Sequence, residues 1–464
     1  MGYRPPHPPH VYRCTVSRSL LIVNAGVGRR TAMSVLLRNG VVSEIGSRRA
    51  LPGVPVINAR GGSVVPALWD HHVHLRAAAA RRRSVDVSAA TDPATFVELV
   101  QAATDRNPPG AWLRIVGYDD DTLGYLDAHR LEQLIPLPAP LRVQHRSGHQ
   151  WVLNGRALEL LHGATGHPVP EDGVFFDDDA ALGRLPQDET NDAGVAHEAR
   201  LLALQGCIGA TDMTATTDQA SARTLVSTVR PWLQLECSGG SGQTPVNAME
   251  RLLEPSSLLP ITICPAWTSS CCQSTAAARG PVALHAVTYE ALVLATCALE
   301  AAGREGDRIE HAFLASKGYP RSYASGALDR ELPRIGAHPG FIWSQGNRLL
   351  KTLTTGEQED YQRLRSWHQA GYTLLGGTDA PFGTPWWWQA LHCAVDRRTP
   401  DGQTLNRSEA LTPEEAFAMF TPGGLKGTAL VPEPGTGDPR TSVSWPSRGP
   451  WSADALHRPA SPRL

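Results

Sequence analysis

The run "ALWDHHVHL" (67–75) sets three imidazoles, His71, His72 and His74, within four residues at the end of a largely apolar stretch. Side chains alternate along a strand, so His72 and His74, two positions apart, point the same way and can grip one ion. His71 then faces elsewhere and reads as a structural or supporting group. Further along the chain, His285 closes "VALH", His311 closes "RIEH" and Asp379 closes "LLGGTD". A lone His-X-His pair is weak evidence, because core and surface histidines produce it often. Four imidazoles and a carboxylate at successive strand ends are a different matter. They form a borderline-soft nitrogen and oxygen donor set, suited to zinc or another first-row transition metal.

Those residues need elements that carry them to one place. Eight apolar runs are candidates: "SVVPALWD", "CIGATDM", "WLQLEC", "PITICP", "VALHAV", "RIEHA", "GFIWSQ" and "YTLLGGTDA". Helix-like stretches such as "EARLLALQG" and "YEALVLATCALEAAG" separate several of them. Strands alternating with helices argue for a parallel α/β sheet, and eight such units suggest a (β/α)8 TIM barrel, whose strand ends converge on one mouth. Ahead of it, residues 14–63 carry short β-like runs with a hairpin signal at "RNG", following a disordered tail over 1–13. The barrel is expected over 64–425, interrupted at about 85–195 by an insertion with strand-like pieces of its own. Residues 426–464 are rich in Pro, Ser, Gly and Arg, with "TSVSW" as a candidate returning strand and the remainder a flexible tail.

Composition narrows the setting. A net charge of −2 gives no reason to expect nucleic acid or an anionic membrane as partner. No stretch of about 18 apolar residues occurs, and the start lacks the apolar core of a signal peptide. Eight cysteines in 464 residues, none in a CxxC pair, suit a reduced, cytoplasmic protein. Neither a GxGxxG after a strand, nor a GxxxxGK[ST] loop, nor a GxSxG elbow is present, which disfavours a nucleotide-binding enzyme and a serine hydrolase. The expected partner is a small-molecule substrate, with a homodimer as the assembly to consider.

"GGSVVPALWDHHVHL", "VALHAV", "RIEHA" and "GGTDAPFG" together resemble the amidohydrolase superfamily, most closely its YtcJ-like, amidohydrolase-3 branch. "LRVQHRSGHQWVLNGRAL" resembles that branch's region ahead of the second strand. The resemblance spans roughly residues 20–430. It implies a (β/α)8 barrel with a small flanking β-sandwich built from both chain ends. It also implies hydrolysis of a C–N bond, in an amide, formamide or related group, by metal-activated water. His72 and His74 match the first-strand ligands, and His285 and His311 those of the fifth and sixth strands. Asp379 matches the eighth-strand aspartate that touches metal and shuttles the proton; His311 and Asp379 are the catalytic candidates.

One departure matters. Many relatives carry a carboxylated lysine on the fourth strand that bridges two metals. This chain offers Thr262 there, and its only lysines are Lys317, Lys351 and Lys426. Three readings follow: a single-metal enzyme, with zinc as the favoured ion; a two-metal site bridged by Glu236, Cys237 or Cys264; or an impaired scaffold serving as a binding or regulatory protein. Substrate contacts are assigned to Arg146, His149 and Asn347. An internal ion pair is the alternative for Arg146. Trp386, Trp387 and Trp388 suit either an aromatic wall or core packing.

Overall fold

A computed structural model describes residues 19–28, 30–38, 41–106, 108, 110–165, 169–176, 178, 182, 192–214, 219–237, 245–246, 281–326, 331–421 and 428–431. The chain divides into two compact units, residues 1–68 with 423–464, and residues 69–422.

The first unit is built on one six-stranded sheet. Ser19–Val27 pairs antiparallel with Arg30–Arg38, which pairs antiparallel with Val41–Gly46, as the "RNG" turn signal leads one to expect. Val56–Asn58 and Ser63–Pro66 add to Ser19–Val27 in parallel, and Thr428–Val431 joins the other side of Ser63–Pro66 antiparallel. Ile22, Ala25, Val35, Ala59 and Val64 form its apolar cluster. The strand contributed by the C-terminal segment is therefore Thr428–Val431; "TSVSW" lies outside the described residues, as do the N-terminal tail and 432–464.

In the second unit, two sheets carry the candidate site residues. Leu68–Val73, Cys207–Asp212 and Gln234–Cys237 form one sheet in that order. Pro245–Val246, Ala283–Ala286, Arg308–His311, Arg334–Ala337 and Leu374–Gly376 form a second, all parallel. The first strand of this series is buried at every position, as expected of a strand covered on both faces. Main-chain hydrogen bonds join the ends of the first and last strands: Asp379 N–H donates to His72 O at 2.8 Å and His74 N–H to Ala380 O at 2.9 Å. Helices follow the strands, including Asp192–Leu204 and Tyr289–Ala302, the latter capped by the Thr288 side chain.

The seventh strand corrects the sequence reading. "GFIWSQ" is not a strand but the start of the helix Phe341–Thr352, and the strand is the preceding Arg334–Ala337. A short apolar run does not declare its period. Here Phe341, Ile342, Gly346 and Leu349 are buried, which is a helical spacing. "PITICP", with Thr262 and Cys264, lies outside the described residues. The described strand beside Ala283–Ala286 on that side is Pro245–Val246.

Residues 85–176 form a five-stranded sheet of their own. Val85–Asp86, Leu113–Tyr118 and Leu141–His145 run parallel, and Gln150–Leu153 and Val174–Phe176 follow antiparallel. A separate apolar cluster around Phe96, Ile115, Leu131 and Val143 supports it.

Candidate metal centre

His72 sits on the end of its strand and His74 just beyond it, as the cap residue of the helix Leu75–Arg81. Asp212, at the end of the neighbouring strand, accepts the Leu75 N–H at 2.9 Å and so ties down that helix start. The two rings stand 5.2 Å apart. Each directs Nε2 toward Asp379 Oδ1, at 3.6 Å from His72 and 3.3 Å from His74. Each is held at Nδ1 by a different group: Glu310 Oε2 at 2.8 Å for His72, Thr214 Oγ1 at 3.2 Å for His74.

The other expected residues arrive from their own strands. The His311 ring lies 4.2 Å from that of His285 and 5.4 Å from that of His72. His72, His311 and Asp379 bring ligand atoms within 4.8 Å of one another and are all buried. The structure thus collects His72, His74, His285, His311 and Asp379 into one cluster. His311 and Asp379 have left-handed backbones, with φ of 68° and 50°, which costs non-glycine residues energy and is concentrated at functional sites. Beneath Asp379, the buried Asp70 carboxylate accepts hydrogen bonds from Thr378 N–H, Thr378 O–H and His72 N–H. It thereby clamps the first and last strand ends together.

Charge is arranged accordingly. Burial works against ionisation of Asp379, yet His72 and His74 outweigh it and hold its pKa below the ordinary carboxylate value. Burial, reinforced by His285, His338, His72 and His74, holds His311 well below the ordinary imidazole value. At neutral pH these shifts favour an ionised Asp379 and a neutral His311, the forms that bind metal. Asp379 Oδ1 and His311 Nδ1 are buried without a hydrogen-bond partner among the described residues. A buried carboxylate oxygen left unsatisfied between two imidazoles is costly in an empty cavity and natural beside a cation. The donor set fits a divalent transition metal.

Two residues went unnoticed in the linear sequence. Glu310 precedes His311 within "RIEH" and lies across the strand pair from Gly336. His338 follows the true seventh strand, and its ring packs 4.6 Å from His72 and 4.3 Å from His311. Misplacing that strand hid His338; "RIGA" carries too short an apolar run to signal a strand.

The substrate candidates separate. His149 stacks on Phe176 and stands edge-on to His285, with ring centres 6.2 Å apart, so it borders the cluster. Arg146 is engaged internally, with Asp119 Oδ2 at 2.7 Å and Gln345 Oε1 at 2.8 Å. Asn347 is on the helix Phe341–Thr352 and not on a loop after a strand; its Oδ1 is buried without a partner among the described residues. Trp387 and Trp388 are core residues, Trp387 packing near Phe417 and Phe420; only Trp386 is exposed. Of the candidate bridging anions, Glu236 is exposed. Burial, with Asp212 nearby, pushes the Cys237 thiol up to about 12.

Comparison with known proteins gives the family of the chain. Residues 55–236 and 269–428 match the sequence profile of the amidohydrolase family. An N-substituted formamide deformylase of Arthrobacter pascens is 25% identical over 493 aligned positions, covering 88% of this chain and 89% of that protein. An uncharacterised metal-dependent hydrolase of Pyrococcus horikoshii superposes with a TM-score of 0.64 at 18% identity, over 87% of this chain and 91% of that one. A second, from Pyrococcus furiosus, gives 0.60 at 17% identity over 87% and 93%. No helix among the described residues is long and apolar enough to cross a membrane. With a profile match across most of its length and a histidine and aspartate cluster at its strand ends, the chain belongs to the amidohydrolase family, hydrolases that act on carbon–nitrogen bonds.

Proposed function

We propose that this chain is a single-metal hydrolase, zinc being the favoured ion, that cleaves the C–N bond of an N-substituted formamide or a related small amide. The observation that carries this reading is the buried Asp379 carboxylate, its Oδ1 faced by the Nε2 atoms of His72 and His74 at 3.6 and 3.3 Å. The likeness to an N-substituted formamide deformylase over most of both chains supports the substrate class. The eight described strands of the two sheets that carry the candidate site suit a (β/α)8 barrel, and the first unit's sheet suits a small β-sandwich.

His72, His74, His285 and Asp379 would hold the ion, with His311 beside it. A divalent ion held there would supply a water of near-neutral pKa and a Lewis acid for the substrate carbonyl. Asp379, ionised at neutral pH, takes the proton of the attacking water on its carboxylate and returns it to the leaving nitrogen. His311, neutral and with Nδ1 free of other described partners, donates to the oxygen that gains charge in the tetrahedral intermediate. Burial of His72, His311 and Asp379, each about 4% exposed, excludes water and strengthens these interactions. His149 orients the substrate at the edge of the cluster.

The experiment is metal content by inductively coupled plasma mass spectrometry, paired with formate release from N-substituted formamides, for the native chain and His72→Ala/His74→Ala. About one ion per chain, lost together with formate release in the variant, is the expected result. Two ions per chain would replace the single-metal reading. No metal after reconstitution would turn the assignment to a binding protein on the same scaffold.

A further inference from the structure

Beneath the candidate ligands lies a buried ionic network that the proposed chemistry does not use. Glu310 is 2% exposed and Arg308 7%. Glu310 Oε1 pairs with Arg308 Nε at 2.7 Å, and Oε2 meets His72 Nδ1 at 2.8 Å. Arg308 Nη2 also donates to His71 O at 3.0 Å, fixing the guanidinium to the strand that bears His72. His338 Nε2 approaches the same Oε2 at 3.7 Å. The space is kept by an absence of side chain: a Cβ on Gly336, in register with Glu310 on the next strand, would overlap the Glu310 carboxylate.

These groups could supply a second metal site, since His72, Glu310 and His338 also bring ligand atoms together. The charge argues otherwise. Arg308 already neutralises Glu310, and a dication would sit against that guanidinium. The geometry suits a different task. An ionised carboxylate only accepts hydrogen bonds, so the His72 nitrogen facing it must be the donor. In the neutral ring, the form that binds metal, that leaves Nε2, the nitrogen turned toward Asp379, as the lone-pair atom.

We propose that Glu310, anchored by Arg308 and accommodated by Gly336, is a positioning residue that holds His72 in its Nδ1–H tautomer and aims Nε2 as a metal ligand. The inference rests on the reading of His72 as a ligand, but half of it is independent of any metal. His74 is held differently: the Thr214 hydroxyl at its Nδ1 can donate or accept, and its Nε2 faces Asp379 Oδ1 at 3.3 Å. The two members of the His-X-His pair are therefore unequally prepared. Carboxylate partners of ligating histidines typically change metal affinity by about 10–100-fold.

The test uses metal-free, 15N-histidine-labelled full-length protein, with two-bond 15N–1H correlation spectra assigned through His72→Gln. The expected result is an Nδ1–H signature for His72; an Nε2–H signature overturns the proposal. Glu310→Gln, which keeps shape but can present an amide N–H to the ring, should give a mixture of tautomers. It should also weaken Zn2+ binding by about 10–100-fold in a chelator competition. Gly336→Ala should move both readouts the same way without altering a charge. Should Glu310→Gln leave Arg308 unpaired and fold poorly, Arg308→Met/Glu310→Gln removes both charges and is read instead. Wild-type tautomer and Zn2+ affinity in a folded variant overturn the proposal. A native protein with the Nδ1–H tautomer but no Zn2+ binding would instead sink the metal-centre reading alone.

Discussion

Asp379 and His338 are both buried and serve opposite ends. Asp379 is kept ionised by its imidazole neighbours, which suits the base role proposed for it. Replacing it by Asn keeps an oxygen donor but removes the proton acceptor. We expect turnover in formate release to fall by about 10²–10⁴-fold while metal content stays near that of the native chain. Unchanged turnover would remove the role. His338 is kept neutral: burial first, then the neighbouring His72, lower its pKa from 6.5 to about 3, and burial does the same to His71. An unfolded chain takes up these protons near pH 6.5, whereas the folded chain takes them up near pH 3. Between those values the unfolded state binds more protons, so stability rises with pH and is lost on acidification. Each histidine contributes a slope of up to about 1.4 kcal/mol per pH unit. Urea unfolding of metal-free protein at pH 7.5 and about 5 should show this loss, and His338→Gln should reduce the slope by about one proton. An identical slope in the variant would mean that His338 titrates normally in the fold.

At the level of elements, the His-X-His strand is located by packing as much as by its own hydrogen bonds. Trp69, three residues before His72, is 5% exposed and donates Nε1–H to Thr211 Oγ1 at 2.9 Å across to the next strand. Its ring lies over Gly209, where an added Cβ would collide with the indole. Gly209→Ala must therefore push Trp69, and with it the strand that carries His72. A loss of about 1–3 kcal/mol in unfolding free energy is expected from such overpacking, with lower metal affinity at 25 °C. A variant that matches the native chain in both would show that the indole can move aside freely. Glycine is similarly required at 377, where a Cβ would crowd His72 and His338.

On the scale of the whole molecule, the proposed ligands come from strands as far apart in sequence as His72 and Asp379, so a bound ion would cross-link the fold. A ligand bound only by the folded state stabilises it by about 4 kcal/mol when present at 1,000 times its Kd. Removing metal with a chelator should lower the melting temperature by several degrees and abolish formate release, and readdition of Zn2+ should restore both. A melting temperature indifferent to the chelator would place the stability of the second unit entirely in its packing.

The residues that the fold brings together as candidate donors were legible in linear order because metal chemistry restricts residue type and a strand restricts spacing. His72 and His74 announce themselves two apart, and His285, His311 and Asp379 each end an apolar run. The amidohydrolase assignment followed from those same motifs. What held each donor was not legible. Glu310 reads as one more charged residue in "RIEH" until strand pairing puts Gly336 opposite it and Arg308 beside it. His338 was hidden because "RIGA" is too short, and "GFIWSQ" too ambiguous in period, to place the seventh strand. Arg146 could equally have faced a substrate until the fold supplied Asp119 and Gln345. Residue type and local spacing set what chemistry a side chain can do. Which groups meet its other atoms depends on contacts between distant segments, and only packing in three dimensions decides those.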